Sequence, residues 1–124
     1  MESAILLDPL FEQVMVVGEG RPYLTALAVL NETHWQDFAA GLEVDPDDPA
    51  TLRNPKVLKA LVRRAAGHLK HFPGYAHVRR LMPELKPWTV DDGLLTPTLK
   101  IRRSQILERY RAVVEAMYAD FPRG

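Results

Sequence analysis

Two hydrophobic runs near the start of the chain predict a β-hairpin. The runs VMVV and YLTALAVL are apolar at nearly every position, and the segment GEGRP separates them. Runs rich in Val and Leu that are joined by Gly and Pro are typical of strands connected by a turn. We therefore predict strands at Val14–Val17 and Tyr23–Leu30, after a short helix that breaks near Pro9. Because both runs are apolar throughout, both faces of this sheet are expected to be covered.

Later in the chain, apolar residues recur at helical spacing. Asn31 precedes ETHWQDFAAGL and Asn54 precedes PKVLKALVRRAAGHLKHF. Asn31 is predicted to start a helix. Asn54 is a favourable N-cap and Pro55 suits the first helical position, so a second helix is predicted there. The acidic stretch EVDPDDPATLR between them is predicted to be a loop. From about Arg102 the spacing predicts a terminal amphipathic helix. Its apolar face comprises Ile106, Leu107, Tyr110, Val113, Val114 and Met117.

The remaining elements define the fold class. The run YAHVRRLM is predicted to be a third strand that ends at Pro83, and DDG, at positions 91–93, is predicted to form a tight turn. Strands and helices alternate without a regular βαβ rhythm, so the predicted class is α+β, a small sheet of a hairpin plus a third strand flanked by helices. With 124 residues, the chain (1–124) is expected to form a single domain.

Composition excludes several classes of function. Lys plus Arg and Asp plus Glu each total 16, and this balance argues against a nucleic-acid partner. The chain has no cysteine, which excludes disulfides and thiolate metal sites. The start MESAILLDP does not resemble a secretion signal, and no apolar run reaches the ~18–20 residues that span a bilayer. We expect a cytoplasmic protein with at most peripheral contact with a membrane.

No metal site is predicted from the histidines. His34, His68, His71 and His77 are interpreted as surface residues. His68 and His71 have the i,i+3 spacing that two ligands on a helix could use, but no carboxylate at a matching spacing completes a ligand set. The acidic segment DPDDP lacks the spacing and the final Glu of an EF-hand loop.

The stretch GLLTPTLKIRRSQ carries the most distinctive chemistry. Lys100, Arg102 and Arg103 lie within four residues at the predicted start of the last helix. A helix N-terminus carries a partial positive charge and free N–H groups, so cations there oppose stability but suit an arriving anion. A Lys on the preceding loop is a mobile point charge that can reach a phosphate. The residues alone leave an anion site and a solvated helix start equally open.

The same residues carry a family resemblance. The segment DDGLLTPTLKIRRSQILERYRAVVEAMYA resembles the closing motif of AMP-forming long-chain acyl-CoA synthetases, members of the adenylate-forming superfamily. The superfamily pattern is Pro-x-Thr-x-Ser-Gly-Lys. Thr96, Thr98 and Lys100 fall on its Thr, Ser and Lys positions, and Leu99 replaces its Gly. The form Thr-Pro-Thr-Leu-Lys is typical of the long-chain branch. Upstream, ESAILLDPLFEQVMVVGEGRPYLTALAVLN is similar to the start of the C-terminal domain in the same family.

This resemblance implies a function and a set of partners. It implies the mobile C-terminal cap domain of a long-chain fatty acid–CoA ligase, which activates a fatty acid with ATP to acyl-AMP and then transfers the acyl group to CoA. The implied partner is the N-terminal adenylation domain of the same enzyme, whose ATP-phosphate loop and fatty-acid tunnel have no counterpart in the sequence. As a fragment without that main catalytic domain and hinge, the chain is expected to be inactive alone.

The resemblance also implies substrates and site residues. ATP with Mg²⁺ and CoA are the implied substrates of the complete enzyme, and none of them is expected to bind this domain alone. Lys100 is implied to be catalytic, bridging the carboxylate and the α-phosphate. Thr96, Thr98, Arg102 and Arg103 are implied to contact substrate or ATP.

Two other interpretations stay open on the sequence. The domain could be a stand-alone, non-catalytic binding or regulatory module. Alternatively, it could be the cap of an acyl-AMP ligase that delivers its acyl group to a carrier protein instead of CoA.

Overall fold

A computed structural model describes residues 2–18, 21, 23–70 and 78–119. The chain divides into two compact units, Met1–Pro87 and Trp88–Gly124. The first unit contains α1 (Glu2–Ile5), β1 (Phe11–Val17), β2 (Leu24–Leu30), α2 (Glu32–Gly41), a 3-10 helix (Pro49–Arg53), α3 (Pro55–Gly67) and β3 (Val78–Glu84). The second contains α4 (Arg103–Arg109) and α5 (Arg111–Ala119).

The sheet of the first unit has three strands in the order β1-β2-β3. β1 pairs with β2 in antiparallel fashion, as the predicted hairpin requires, and β2 pairs with β3 in parallel. Every residue from Thr25 to Leu30 is buried, which confirms that both faces of the central strand are covered. β1 begins at Phe11, three positions before the predicted start at Val14, with an irregularity in pairing between Phe11 and Gln13. The mixed sheet and its helices confirm the predicted α+β class.

The third strand ends later than the sequence predicted. The predicted segment began at Tyr75, and its first three residues lie outside the described part of the chain. At the other end, Pro83 does not terminate the strand, which continues to Glu84. Proline is tolerated because β3 is at the edge of the sheet, where a missing N–H breaks no ladder bond. The carbonyl of Pro83 accepts a hydrogen bond from Arg53 of the 3-10 helix at 3.2 Å.

The predicted helix starts at Asn31 and Asn54 are confirmed, and both residues are N-caps. The side chain of Asn31 accepts a hydrogen bond from the N–H of His34 at 3.1 Å, and that of Asn54 accepts one from the N–H of Lys56 at 2.9 Å. Each bond satisfies an N–H that has no partner within its helix. Many of the buried side chains of the first unit form a hydrophobic cluster. It consists of Ile5, Leu10, Phe11, Val14, Ala26, Ala28, Leu30, Trp35, Ala39, Val57, Leu61, Ala65, Leu69, Val78 and Leu81.

The sequence predicted a loop for the whole acidic stretch, and this prediction is wrong for its second half. Its second half forms the 3-10 helix Pro49–Arg53, and the side chain of Asp48 caps it by accepting from the N–H of Ala50 at 2.9 Å. The indole N–H of Trp35 donates to the carbonyl of Pro46 at 3.1 Å. The buried Trp35 therefore ties this segment to α2.

The terminal helix of the second unit is interrupted. α4 ends at Arg109 and α5 begins at Arg111, with Tyr110 between them at φ −101° and ψ 19°. The indole N–H of Trp88 donates to the hydroxyl of Tyr110 at 3.2 Å.

Within the described part of the chain, each helix is too short or too polar to cross a membrane.

One residue of the predicted apolar face was placed wrongly. Ile106, Val114 and Met117 are buried, but the side chain of Leu107 is 38% exposed. Successive residues on a helix point about 100° apart, so Ile106 and Leu107 cannot both face the same direction. Ile106 takes the buried position.

Candidate functional site

The segment Thr96–Lys100 forms a tight hairpin loop in the second unit. Leu95 and Ile101 pair as an antiparallel bridge at its base. Above them, the N–H of Thr96 donates to the carbonyl of Lys100, and the N–H of Leu99 donates to the carbonyl of Thr96, both at 2.8 Å. This is the bond pattern of a three-residue hairpin loop, in which a β-turn is followed by a left-handed residue. The loop presents Lys100 on the surface, where its side chain is exposed.

Leu99 is the left-handed residue of this loop. Its φ is 65°, a conformation that costs a residue with a Cβ about 1–2 kcal/mol and that glycine adopts freely. Leu99 stands where the superfamily pattern has Gly. The loop therefore keeps a backbone conformation suited to Gly while carrying a leucine side chain that is 70% exposed.

The hydroxyl of Thr96 lies inside the loop. It accepts a hydrogen bond from the N–H of Lys100 at 3.1 Å, and it lies 3.1 Å from the hydroxyl of Thr98. Thr96 thus contacts Lys100 through both its backbone and its side chain. Of the residues singled out in the sequence, the structure brings Thr96, Thr98 and Lys100 together.

A second turn supports the loop from its N-terminal side. The carboxylate of Asp92 accepts from the N–H groups of Leu94 at 2.9 Å and Thr89 at 3.1 Å, and the N–H of Asp92 donates to the hydroxyl of Thr89. Desolvation opposes the ionised carboxylate, but these bonds and the charge of Arg109 outweigh it and lower the pKa of Asp92. The predicted tight turn is confirmed, with Gly93 at φ 81°.

Arg102 and Arg103 lie next to each other but have different surroundings. The N–H of Arg102 donates to the carbonyl of Leu94 at 2.9 Å, and its guanidinium donates to the carbonyl of Gly93 at 3.4 Å. Arg102 therefore joins the turn to the start of α4. Arg103 is the exposed first residue of that helix. Because α4 has only seven residues, it lacks the dipole of a long helix that was expected to favour an anion at its N-terminus.

Of the four histidines considered in the sequence, His34 and His68 lie in the described part of the chain. Among the described residues, no group of three or more His, Asp or Glu side chains is placed to hold a metal ion. His34 is exposed on α2, whereas His71 and His77 lie outside the described residues.

Sequence reasoning missed a polar cluster in the first unit, which we call the Asp8 cluster: Asp8, Arg64 and His68. The carboxylate of Asp8 is 3.0 Å from Nε2 of His68 and accepts from Arg64 at 2.5 and 2.8 Å. It also accepts from the N–H of Leu10 at 3.0 Å. The side chain of Asp8 is only 4% exposed. The cluster therefore ties the segment between α1 and β1 to α3.

Burial and charge act in opposite directions on Asp8. Desolvation alone would raise the pKa of this carboxyl group, but the bonds from Arg64, Leu10 and His68 outweigh it. The resulting pKa lies well below the ordinary value of 3.8. The available sequence signal was the i,i+4 spacing of Arg64 on α3 and His68 at its C-cap, which places both on one side of the helix. Nothing in that spacing points to a partner 56 and 60 residues away.

Comparisons with known proteins find related sequences over nearly the whole chain. A family model described as "AMP-binding enzyme C-terminal domain" matches residues 1–122. A fatty acyl-CoA synthetase A from Dictyostelium discoideum is 30% identical, over 99% of this chain and 19% of its own length. A chloroplastic long-chain-fatty-acid–[acyl-carrier-protein] ligase from Arabidopsis thaliana is 27% identical, over 96% of this chain and 15% of its own length.

The chain is also similar to a solved adenylation domain. The adenylation domain of carboxylic acid reductase from Segniliparus rugosus, in complex with AMP and a co-purified carboxylic acid, superposes with a TM-score of 0.76 at 26% identity. The match covers 98% of this chain and 18% of that one. The chain thus spans about a fifth or less of the length of the relatives it matches. These findings confirm the resemblance inferred from the sequence.

Proposed function

Since this chain belongs to the family of AMP-binding enzyme C-terminal domains, we propose that it is the C-terminal domain of an AMP-forming long-chain fatty acid–CoA ligase. The proposed partner is the N-terminal adenylation domain of the same enzyme, which would bind ATP with Mg²⁺ and the fatty acid. The chain on its own is proposed to be inactive. The long-chain assignment is supported by the Thr-Pro-Thr-Leu-Lys form of residues 96–100.

The proposed reaction has two steps. In the first, an oxygen of the fatty carboxylate attacks the α-phosphorus of ATP, which forms acyl-AMP and expels pyrophosphate. In the second, the thiol of CoA attacks the acyl carbon, loses its proton and expels AMP. A carboxylate is already a nucleophile, so the first step requires no general base. It does bring two negatively charged groups together, which a positive charge at that point would favour.

Lys100 is the residue proposed to supply this charge. The observation that carries the proposal is its exposed side chain on a closed hairpin loop, at the Lys position of the superfamily motif. A preorganised ammonium between the carboxylate and the α-phosphate would hold the reactants together and stabilise the developing charge. Thr98, Arg102 and Arg103 are proposed to contact the nucleotide beside it.

A lysine substitution in the complete enzyme, meaning this domain together with its adenylation domain, tests the proposal. With Lys100→Ala, pyrophosphate release from ATP and palmitate should fall on the order of 10²–10³-fold, the usual cost of losing one preorganised electrostatic contact. Thioester formation from pre-formed acyl-adenylate and CoA should fall much less. The matched control is Lys59→Ala, which removes an exposed lysine of α3. The proposal is wrong if both half-reactions fall equally or if neither falls.

A second candidate differs only in the acyl acceptor. The Arabidopsis relative is named as a ligase that acts with an acyl-carrier protein. On that alternative, the first step and the role of Lys100 are unchanged, but the thiol belongs to a carrier protein. Thioester yield with CoA and with a carrier protein, each supplied to the same adenylate-loaded enzyme, separates the two.

A further inference from the structure

We infer that Thr96 is a positioning residue that holds Lys100 in place for the adenylation step. The inference rests on the proposed role of Lys100. It differs from what the family resemblance implied, which was a contact between Thr96 and the substrate. The observation behind it is that the hydroxyl and both backbone groups of Thr96 take part in closing the loop that carries Lys100.

Three bonds from Thr96 close the loop. Its N–H donates to the carbonyl of Lys100 at 2.8 Å, and its carbonyl accepts from the N–H of Leu99 at 2.8 Å. Its hydroxyl oxygen accepts from the N–H of Lys100 at 3.1 Å. Both backbone polar groups of Lys100 are therefore bound to the same residue. The backbone from which the ammonium projects is fixed by Thr96.

The side-chain bond has a particular task in this sequence. Leu99 occupies a left-handed conformation that disfavours every residue with a Cβ, so the loop is strained next to Lys100. A rotation of Leu99 out of that conformation would relieve the strain and would move Lys100 with it. The bond from the N–H of Lys100 to the hydroxyl of Thr96 opposes that rotation, because it breaks when residue 100 moves. A serine can make the same bond, whereas valine has the shape of threonine without the hydroxyl oxygen.

Activity assays of the complete enzyme test the inference. Thr96→Val should lower kcat for pyrophosphate release by about 10- to 100-fold, as a displaced catalytic group does, with little change in the KM for ATP. Thr96→Ser should restore most of the rate. Were Thr96 a substrate contact instead, Thr96→Val would raise the KM for ATP and leave kcat nearly intact, which would overturn the inference.

A double substitution separates this inference from the proposed function. If Thr96 acts through Lys100, Thr96→Val should have almost no further effect once Lys100 is alanine. An equal loss in both backgrounds would mean that Thr96 acts independently of Lys100, which overturns the inference while leaving the role of Lys100 intact. If Lys100→Ala alone has no effect on pyrophosphate release, the proposed function itself fails.

Amide hydrogen exchange of the chain gives a readout that does not depend on activity. In the wild type, the N–H of Lys100 should be protected by its bond to Thr96. Thr96→Val should speed its exchange by about tenfold or more, the effect of losing about 1.4 kcal/mol of local protection, and Thr96→Ser should not. Unchanged exchange in Thr96→Val would show that the hydroxyl does not hold this position.

Discussion

The Asp8 cluster and the hairpin loop of Thr96–Lys100 are both built from short polar contacts, but they lie in different surroundings. Asp8 is 4% exposed, and its carboxylate has been removed from water. Lys100, Thr98 and Leu99 are exposed, so water surrounds most of the loop, whereas Thr96 is half-buried. A lost partner is costly for a buried ionised group and cheap for a solvated one. The cluster should therefore govern stability, and the loop should govern geometry.

Because of this difference, substitutions in the two regions should change different measured quantities. Changes in the Asp8 cluster should alter the free energy of unfolding of the whole first unit. Changes in the loop should leave that free energy almost unaltered and should appear in the rate of the first half-reaction. A variant that moves both quantities together would contradict the division.

Asp8→Ala should have the largest effect on stability. It removes the acceptor for Arg64, His68 and the N–H of Leu10 together. We expect a loss of about 2–3 kcal/mol, below the 3–5 kcal/mol typical of breaking a fully buried pair, since Arg64 and His68 remain partly solvated. Urea denaturation measures the loss. The control Asp37→Ala removes an exposed carboxylate of α2 and should change stability by less than about 0.5 kcal/mol.

The pH dependence of the same site gives a second test. The pKa of Asp8 is depressed in the folded protein, so the folded state favours the ionised carboxylate. Its stabilising contribution is fully present above the unfolded-state value near 3.8 and is lost as the pH falls below that value toward the lower folded pKa. The stability difference between wild type and Asp8→Asn should be constant above about pH 5 and should shrink below about pH 4. A difference that grows on acidification would mean that the sign of the pKa shift is wrong.

The smallest effect is expected at Leu99. Leu99→Gly removes a left-handed strain of about 1–2 kcal/mol but adds the entropy cost of ordering glycine, about 0.5–1 kcal/mol. The net change in the free energy of unfolding should be a stabilisation below about 1 kcal/mol, measured by urea denaturation beside Asp8→Ala. A destabilisation above about 1 kcal/mol would show that the exposed leucine side chain makes contacts that matter more than the strain.

Local signals in the sequence predicted local structure well. The helix starts at Asn31 and Asn54, the two apolar strands and the tight turn at Gly93 each depend on residues a few positions apart, and each is confirmed. The family motif also marked the loop around Lys100. The geometry of this loop was not predicted, although the Gly position of the superfamily pattern, where Leu99 takes a positive φ, is a signal that could have indicated it.

Features that depend on distant partners could not be predicted in the same way. Pro83 would indicate the end of β3 only if β3 were a central strand. β3 is an edge strand, and this position follows from its parallel pairing with β2, which the sequence did not reveal. Leu107 fitted the apolar spacing as well as Ile106 did, and packing selected between them. The Asp8 cluster joins residues separated by 56 and 60 positions, so neither periodicity nor composition could reveal it.

Pro83 has a consequence for how this chain behaves at high concentration. An exposed strand edge offers N–H and C=O groups on which strands of other molecules can assemble into aggregates. At Pro83 the edge of β3 has no N–H to donate, and the carbonyl is already bound to the guanidinium of Arg53. The same proline that failed to end the strand is also fully buried, so at this position β3 offers no free backbone group to a strand of another molecule.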